Sequence, residues 1–132
     1  MKPCEKHAYA LLRMVAGFTF LWHGSQKLLN LPASGHVPAT YLKFIAGPIE
    51  LFGGLLIMFG FATSWAAFLA CGLMAVAYWK AHGTNAVLPL LNRGELAALY
   101  CFIFLYISAR GAGIWSIDSL IDRVRRKRQI SG

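Results

Sequence analysis

The stretch that decides the fold is Phe44-Ile-Ala-Gly-Pro-Ile-Glu50-Leu-Phe-Gly-Gly-Leu-Leu-Ile-Met-Phe-Gly-Phe61, an apolar run with one acid near its middle. A helix crosses the hydrocarbon core of a bilayer in about 20 residues, so this run is close to the length that a span needs. Placing an ionised side chain at the bilayer centre costs about 2.5–3.5 kcal/mol on insertion scales. We therefore expect Glu50 to have a partner, a proton or a water-lined cavity, and it is the first candidate for a functional residue.

The composition of the whole chain agrees with a membrane location. Of its 132 residues, 58% are apolar and only 14% are charged, and the mean hydropathy is +0.55. A soluble domain is typically about 45–50% apolar. Because a helix satisfies its own backbone polar groups in lipid, the sequence predicts an all-α fold. We expect a polytopic membrane protein, an antiparallel bundle of four transmembrane helices that forms a single domain over residues 1–132.

Four apolar segments are candidates for the spans. They cover about residues 8–29, 41–62, 64–80 and 94–109, and the last two are near the lower length limit. Ser64 is expected to cap the third helix, and the short link before it makes the middle helices an antiparallel hairpin. The two longer loops contain Gly and Pro and are expected to be irregular.

The basic residues predict the orientation of the bundle. With an even number of spans, both termini lie on one side, which then holds nine basic residues against four on the other. The nine are Lys2, Lys6, Arg13, Arg110, Arg123, Arg125, Arg126, Lys127 and Arg128, and the four are Lys27, Lys43, Lys80 and Arg93. Because cytoplasmic loops are the richer in Lys and Arg, both termini are predicted to be cytoplasmic.

Half of the net charge of +8 comes from a basic tail, residues 119–132. Anionic lipid headgroups are its expected partner. A nucleic acid is not expected, because no aromatic residues interleave with the basic ones to stack on bases.

Polar groups fall on one face of each of the first two helices. Spacings of three and four residues align positions on a helix, and in the first segment they align Arg13, Gly17, Phe20, Gly24 and Lys27. In the second segment they align Gly47, Glu50, Gly54 and Ile57, and Gly53 precedes Gly54. Small residues permit close approach of membrane helices, so these faces are predicted to pack together, and the glycines are interpreted as packing residues.

Depth in the membrane then decides which polar groups meet. Glu50 lies roughly 13 Å along its helix at ~1.5 Å per residue, which is the expected depth of His23. The long side chain of Lys27 leans back toward the helix N-terminus and hence inward. We predict a polar cluster in the outer half of the bundle. Its candidate members are His23, Lys27, Glu50 and Glu95, bordered by Trp22, Asn85 and Tyr100.

Each of these residues also has a structural interpretation. Lys27 and Glu50 form either an ion pair that holds two helices together or part of a working site. Glu95 either joins the cluster or favours the N-terminus of the last helix through the helix dipole. Arg13 belongs to the cytoplasmic half, where its expected partners are headgroups or the carbonyls at the end of the second helix.

Motifs for metals and dithiols are not evident. The four histidines are scattered and lack the paired spacing of a zinc site. Cys71 and Cys101 lie inside apolar runs, where a thiol is expected to act as a small apolar side chain. With Cys4 they form no C-x-x-C pair, so a dithiol enzyme is not expected.

Four motifs in order over nearly the whole chain resemble the DoxX family. They are Arg13-x3-Gly17 followed by Trp22-His23-Gly24-x2-Lys27-Leu28, then Gly47-Pro-Ile-Glu50-Leu-Phe-Gly53-Gly54-Leu-Leu-Ile-Met-Phe-Gly60, then Asn92-Arg-Gly94-Glu95-Leu-Ala-Ala-Leu-Tyr100, and Arg110-Gly111-Ala-Gly113-Ile-Trp-Ser116-Ile-Asp118. The resemblance implies a small four-helix protein of the bacterial inner membrane. The family takes its name from a membrane subunit of thiosulfate:quinone oxidoreductase, and other members are linked to redox stress complexes. By position, the resemblance singles out Lys27, Glu50 and Glu95 as polar site residues.

Three functions follow as hypotheses. The first is a redox-associated membrane protein, an oxidoreductase component whose outer pocket binds a quinone or a sulfur anion. In it, Lys27 stabilises negative charge, Glu50 exchanges a proton and His23 relays it. The second is a non-catalytic membrane anchor or assembly subunit for redox-protein partners, and the third is a small proton-coupled transporter working as a homo-oligomer. The residues alone indicate no cofactor, and the resemblance makes a quinone the candidate.

Overall fold

The computed structural model describes residues 2–31, 33, 40, 42–82 and 88–130, and all regular structure within these ranges is helical. The prediction of an all-α fold is therefore confirmed. In chain order the elements are α1 (Lys2–Leu29), a π-helical turn (Leu42–Ala46) that leads directly into α2 (Gly47–Phe59), α3 (Thr63–Ala77) followed by a second π-helical turn (Tyr78–His82), the single turn α4 (Pro89–Asn92), α5 (Glu95–Arg110) and α6 (Ile117–Ile130).

Each of the four apolar segments predicted from the sequence overlaps one long helix, α1, α2, α3 or α5, and α1 begins six residues earlier than predicted. Within the described ranges, however, none of the helices has both the length and the apolar character of a membrane-crossing segment. Parts of the two inter-helix loops predicted to be irregular, residues 32, 34–39 and 83–87, lie outside the described residues, and Asn85 is among them. The described part of the second loop contains the single turn α4. The basic tail is helical as far as Ile130, as part of α6.

Helices α1 and α2 run antiparallel with their backbones in direct contact. A Cβ atom on Gly24 would lie 2.2 Å from the backbone nitrogen of Leu51, and one on Gly17 would lie 2.5 Å from that of Met58. On the facing side, a Cβ on Gly54 would lie 2.6 Å from the nitrogen of Leu21. No side chain larger than hydrogen fits at these three positions without separating the helices.

The other pair, α3 and α5, packs through small residues and a few large ones. The buried side chains of α3 are mostly alanines, and α5 contributes Tyr100, Phe104 and Ile107. Phe20 and Ile57 from the α1–α2 pair complete the same buried cluster. The small alanines of α3 leave room for the aromatic rings of α1 and α5, and the rings fill this room so that the core is closely packed.

The link between α2 and α3 is closed by a residue from far along the chain. Gly60 ends α2 in a left-handed conformation (φ 71°), and the N–H of Phe61 donates to the carbonyl of Leu56 at 2.9 Å. The carboxylate of Asp118 then accepts from the N–H groups of Ala62 (3.0 Å) and Thr63 (3.2 Å). The prediction that Ser64 caps α3 is wrong, because α3 begins at Thr63 and Asp118 of α6 takes that role.

Arg13 is completely buried and joins three parts of the chain. Its Nη1 donates to the carbonyls of Ile57 (2.6 Å) and Met58 (2.7 Å) at the end of α2, and its Nη2 donates to that of Trp115 (2.8 Å). Carbonyls at a helix C-terminus carry partial negative charge and lack helical partners. The expected partners of Arg13 are lipid headgroups or the carbonyls at the end of the second helix. In the structure, Arg13 bonds to these carbonyls.

At the same end of the molecule, Arg110 fastens the end of α5 to the start of α1. It donates hydrogen bonds to the hydroxyl of Tyr106 and to the carboxylate of Glu5, the latter at 3.0 Å, and its guanidinium lies 4.4 Å from the ring centre of Tyr9. These hydrogen bonds stabilise the cation and raise the pKa of Arg110. The pair with Glu5 is exposed, so it contributes little to the free energy of unfolding.

The α1–α2 contact predicts the effect of a single methyl group. Gly24→Ala should lower the free energy of unfolding by about 1–3 kcal/mol, because the new Cβ overlaps the backbone of α2. Gly72→Ala on α3 is the matched control, because a Cβ there meets nothing within 4 Å. It should leave stability unchanged or raise it by up to about 1 kcal/mol through helix propensity. Thermal unfolding followed by circular dichroism measures both, and equal midpoints for the two variants would contradict the packing described.

Candidate functional site

An ion pair between the end of α1 and the start of α2 is the centre of the candidate site. The Nζ atom of Lys27 lies 2.5 and 2.6 Å from the two carboxylate oxygens of Glu50. Only 2% of the Glu50 side chain is exposed, against 25% for Lys27. A buried carboxylate requires a partner, and here a charged donor supplies it.

The pair exists because of where the glycines lie. Gly24 is one turn before Lys27, and a Cβ on Gly24 would come within 2.8 Å of the carbonyl carbon of Glu50. The two backbones are therefore in contact at the level of the carboxylate. From the next turn of α1, the flexible lysine side chain reaches the acid directly.

A cavity of about 260 Å³ opens beside this pair. It is lined by α1, α2, α3, α5 and Arg93, the residue that directly follows α4. The lining residues are Phe20, His23, Lys27, Glu50, Met74, Ala77, Arg93, Leu96, Ala97 and Tyr100. Most of this surface is apolar, with a few polar groups at one side, which is the usual make-up of a site for a small molecule. The volume is slightly below the roughly 300 Å³ at which the usual range of ligand sites begins.

One wall of the cavity is aromatic. The ring of Tyr100 stacks on Phe104, with ring centres 5.5 Å apart and 14° between the planes, and Phe20 lies edge-on to Phe104 at 4.6 Å. The hydroxyl of Tyr100 donates to the Oγ1 atom of Thr19 at 2.6 Å. Because that hydroxyl is already engaged, Tyr100 offers the cavity mainly its ring. His23 meets the same ring edge-on, with centres 6.2 Å apart.

The candidates from the sequence divide into two groups. His23, Lys27, Glu50 and Tyr100 come together around the cavity. Trp22 and Glu95 are not among its lining residues. Trp22 is exposed, and its ring packs against that of Phe18, one turn earlier on α1.

Glu95 is exposed in the first turn of α5. This position suits its alternative interpretation, in which the acid favours the helix N-terminus. The assignment of ligand binding to any of these residues stays a prediction.

Arg93 is a lining residue that the sequence analysis treated only as a charge for orientation. It lies in the left-handed region (φ 58°) just after the single turn α4, and it is part of the cavity lining. Its place directly before Gly94 and Glu95, inside one of the recognised motifs, is the signal that could have identified it.

The electrostatics of the cavity favour a ligand with electron-rich oxygen atoms. Lys27 and Arg93 bring two cations against the single carboxylate of Glu50, and His23 adds a group that can donate or accept a proton. The aromatic wall can stack on a planar ring. Among the described residues, no three His, Cys, Asp or Glu side chains lie close enough to hold a metal ion.

Comparison with known proteins places the chain in a family. Residues 8–83 match the DoxX family model. An uncharacterized protein of Haemophilus influenzae is 39% identical over 118 residues, which cover 83% of this chain and 87% of that protein. A second uncharacterized protein of the same organism is 30% identical over 88 residues, 67% of this chain and 58% of that protein. No solved structure matches the chain. With more than half of its length matched by the family model, the chain belongs to the DoxX family.

The ion pair predicts unequal effects for its two halves. Lys27→Met should lower the free energy of unfolding by about 3–5 kcal/mol, because it leaves the Glu50 carboxylate buried without a counter-charge. Glu50→Gln should cost less, because Lys27 remains partly exposed and can turn its ammonium to water. The double variant should recover part of the loss caused by Lys27→Met.

Thermal unfolding of the purified wild type, both single variants and the double variant measures this coupling. Equal and additive losses would show that the two side chains do not depend on each other, contrary to the geometry.

Proposed function

We propose that this DoxX family protein is a polytopic protein of the bacterial inner membrane that binds a small redox-active molecule, a quinone or a sulfur oxyanion, as a component of an oxidoreductase. The single observation that carries the proposal is the cavity beside the buried Lys27–Glu50 pair. A carboxylate, an amine and an imidazole share one small space with an aromatic wall, and such a set can bind and protonate a reducible ligand.

The distribution of side chains supports the membrane location. Large apolar side chains face outward on the four long helices, for example Phe18, Phe52, Phe68 and Phe102. Within the described part of the chain, the interior meanwhile holds many alanines and two buried charges. Lipid tails are as apolar as these outer side chains, so a bilayer covers them at no cost, whereas in water such surfaces promote association.

The lengths of the helical runs also support it. The π-helical turn of five residues at Leu42–Ala46 continues into the 13 residues of α2. The 15 residues of α3 continue into the five of Tyr78–His82. At ~1.5 Å per residue these runs measure roughly 27–30 Å, close to the hydrocarbon thickness of about 30 Å.

In this proposal, each polar group of the cavity has a distinct task. Lys27 and Arg93 attract an anion or donate to the carbonyl oxygens of a quinone. Glu50 takes or gives a proton, and His23 passes it between the cavity and the outer surface. The rings of Phe20 and Tyr100 hold a planar ligand by contact with its faces and edges.

The orientation is tested with the cysteine that lies near the N-terminus. Cys4 is exposed, and with cytoplasmic termini it should react with a membrane-impermeant maleimide only after spheroplasts are lysed. Ala33→Cys, introduced in a background without the native cysteines, should react in intact spheroplasts, because it follows α1 on the predicted outer side. Labelling of Cys4 in intact spheroplasts would reverse the topology proposed.

Ligand binding is tested by isothermal titration calorimetry of purified protein with a short-chain benzoquinone and, separately, with thiosulfate. We expect one of them to bind wild type, and Lys27→Met and Glu50→Gln to weaken it at least tenfold, since a charged hydrogen bond is worth about 1.5–3 kcal/mol. Glu5→Gln makes the same chemical change on an exposed residue at the other end of the molecule and should leave affinity within about twofold.

The two ligands give separate outcomes. Binding of the quinone alone, or of thiosulfate alone, identifies the class of molecule that the cavity takes. If folded wild-type protein binds neither ligand in the titrations, the proposal is overturned. The role of a membrane anchor is then the better hypothesis.

A further inference from the structure

Two cysteines that are 30 positions apart in the sequence meet between α3 and α5. The Sγ atoms of Cys71 and Cys101 lie 3.7 Å apart, and both residues are half-buried. The third cysteine of the chain, Cys4, is exposed on α1. Nothing in the roles assigned to the cavity uses the pair.

The local packing holds the two thiols face to face. Helices α3 and α5 run antiparallel, since Ser64 near the start of α3 accepts through its carbonyl from the hydroxyl of Ser108 near the end of α5, at 3.0 Å. Cys71 follows Ala67 and Ala70, both buried, and these small side chains let α5 approach closely. Facing residues at such a close helix contact are the geometry in which an inter-helix disulfide can form without moving the backbone far.

A disulfide bond has an S–S length of about 2.05 Å, so the sulfurs need to approach by roughly 1.7 Å from their present contact. Rotation about the Cα–Cβ bonds of two short side chains supplies movement of this size.

We propose that Cys71 and Cys101 form a redox site, a dithiol that closes reversibly to an intramolecular disulfide by exchange with a small-molecule disulfide. One thiolate attacks a sulfur of the small disulfide, forms a mixed disulfide with it and releases the first small thiol. The second thiolate attacks the protein sulfur of that mixed disulfide, and the second small thiol leaves. The two protein thiols are oxidised, the small disulfide is reduced, and the two protons end on the two released thiols.

The position of the pair connects it with the wall of the cavity. Ala97 lies one turn before Cys101 on α5, and Met74 lies three residues after Cys71 on α3, and both line the cavity. A bond between the cysteines therefore fixes the two helices of that wall to each other. The inference does not depend on which ligand the cavity binds, because neither cysteine is among the residues that line the cavity.

The test uses purified full-length protein carrying Cys4→Ser, so that only the facing pair can react. The protein is treated with bis(2-hydroxyethyl) disulfide, a small neutral reagent, and intact-mass spectrometry is followed by non-reducing peptide mapping. We expect a monomer lighter by two hydrogen atoms, with the peptides of Cys71 and Cys101 joined, and full return of both thiols after dithiothreitol. The reaction should speed up as pH rises, because the thiolate is the attacking species.

Single-cysteine variants separate this site from two independent thiols. With Cys71→Ser or Cys101→Ser, the remaining thiol should stop at a stable mixed disulfide, since no second thiol can resolve it. Three results would overturn the proposal: two mixed disulfides persisting on the Cys4→Ser protein, disulfide-linked dimers as the main product, or full alkylation of both thiols after treatment. A closed disulfide that raises the unfolding midpoint by several degrees would show in addition that the bond forms in the native packing.

Discussion

The contact between the backbones of α1 and α2 is the constraint on which the rest of the molecule depends. Glycines at three positions let the two helices approach until no Cβ fits between them. At one end this approach brings Lys27 to the carboxylate of Glu50, and at the other it brings Arg13 to the last carbonyls of α2. Both buried charges are compensated through the same interface. Loss of the close contact would therefore leave two charges unsatisfied as well as a gap in packing.

The two charges are compensated in different ways, and the difference bears on function. Arg13 donates to backbone carbonyls, which cannot ionise and do not leave, so it has the features of a structural residue. Lys27 and Glu50 compensate each other through side chains at the edge of a cavity. A ligand can compete for either partner there, and a proton can neutralise the acid. Among the described residues, Arg13 and Glu50 are the two buried charges, and Glu50 is the one whose partner a ligand can replace.

The sequence predicts the features that follow from periodicity and depth. Spacings of three and four residues identify the packed faces of α1 and α2, and antiparallel helices then bring Lys27 and Glu50 to one level. Contacts of α3, α5 and α6 with each other are not predicted from these patterns. The cap of α3 by Asp118 and the approach of Cys71 to Cys101 depend on how whole helices pack, and no local pattern encodes them. Trp22 is expected beside the cluster but does not line the cavity. It neighbours His23 in the sequence, and the spacing alone does not tell which of the two faces the cavity.

The anchoring of the C-terminal segment has a consequence for anyone who shortens the protein. The loop before α6 supplies the carbonyl of Trp115 to Arg13, and Asp118 closes the start of α3. A truncation that ends before Trp115 removes an acceptor from a guanidinium that has no access to solvent, and it also opens the turn between two bundle helices. Such a shortened chain would lose stability for reasons unrelated to its arginine-rich extremity. A stop codon placed beyond Ser119 spares both attachments and isolates the contribution of the positive charge.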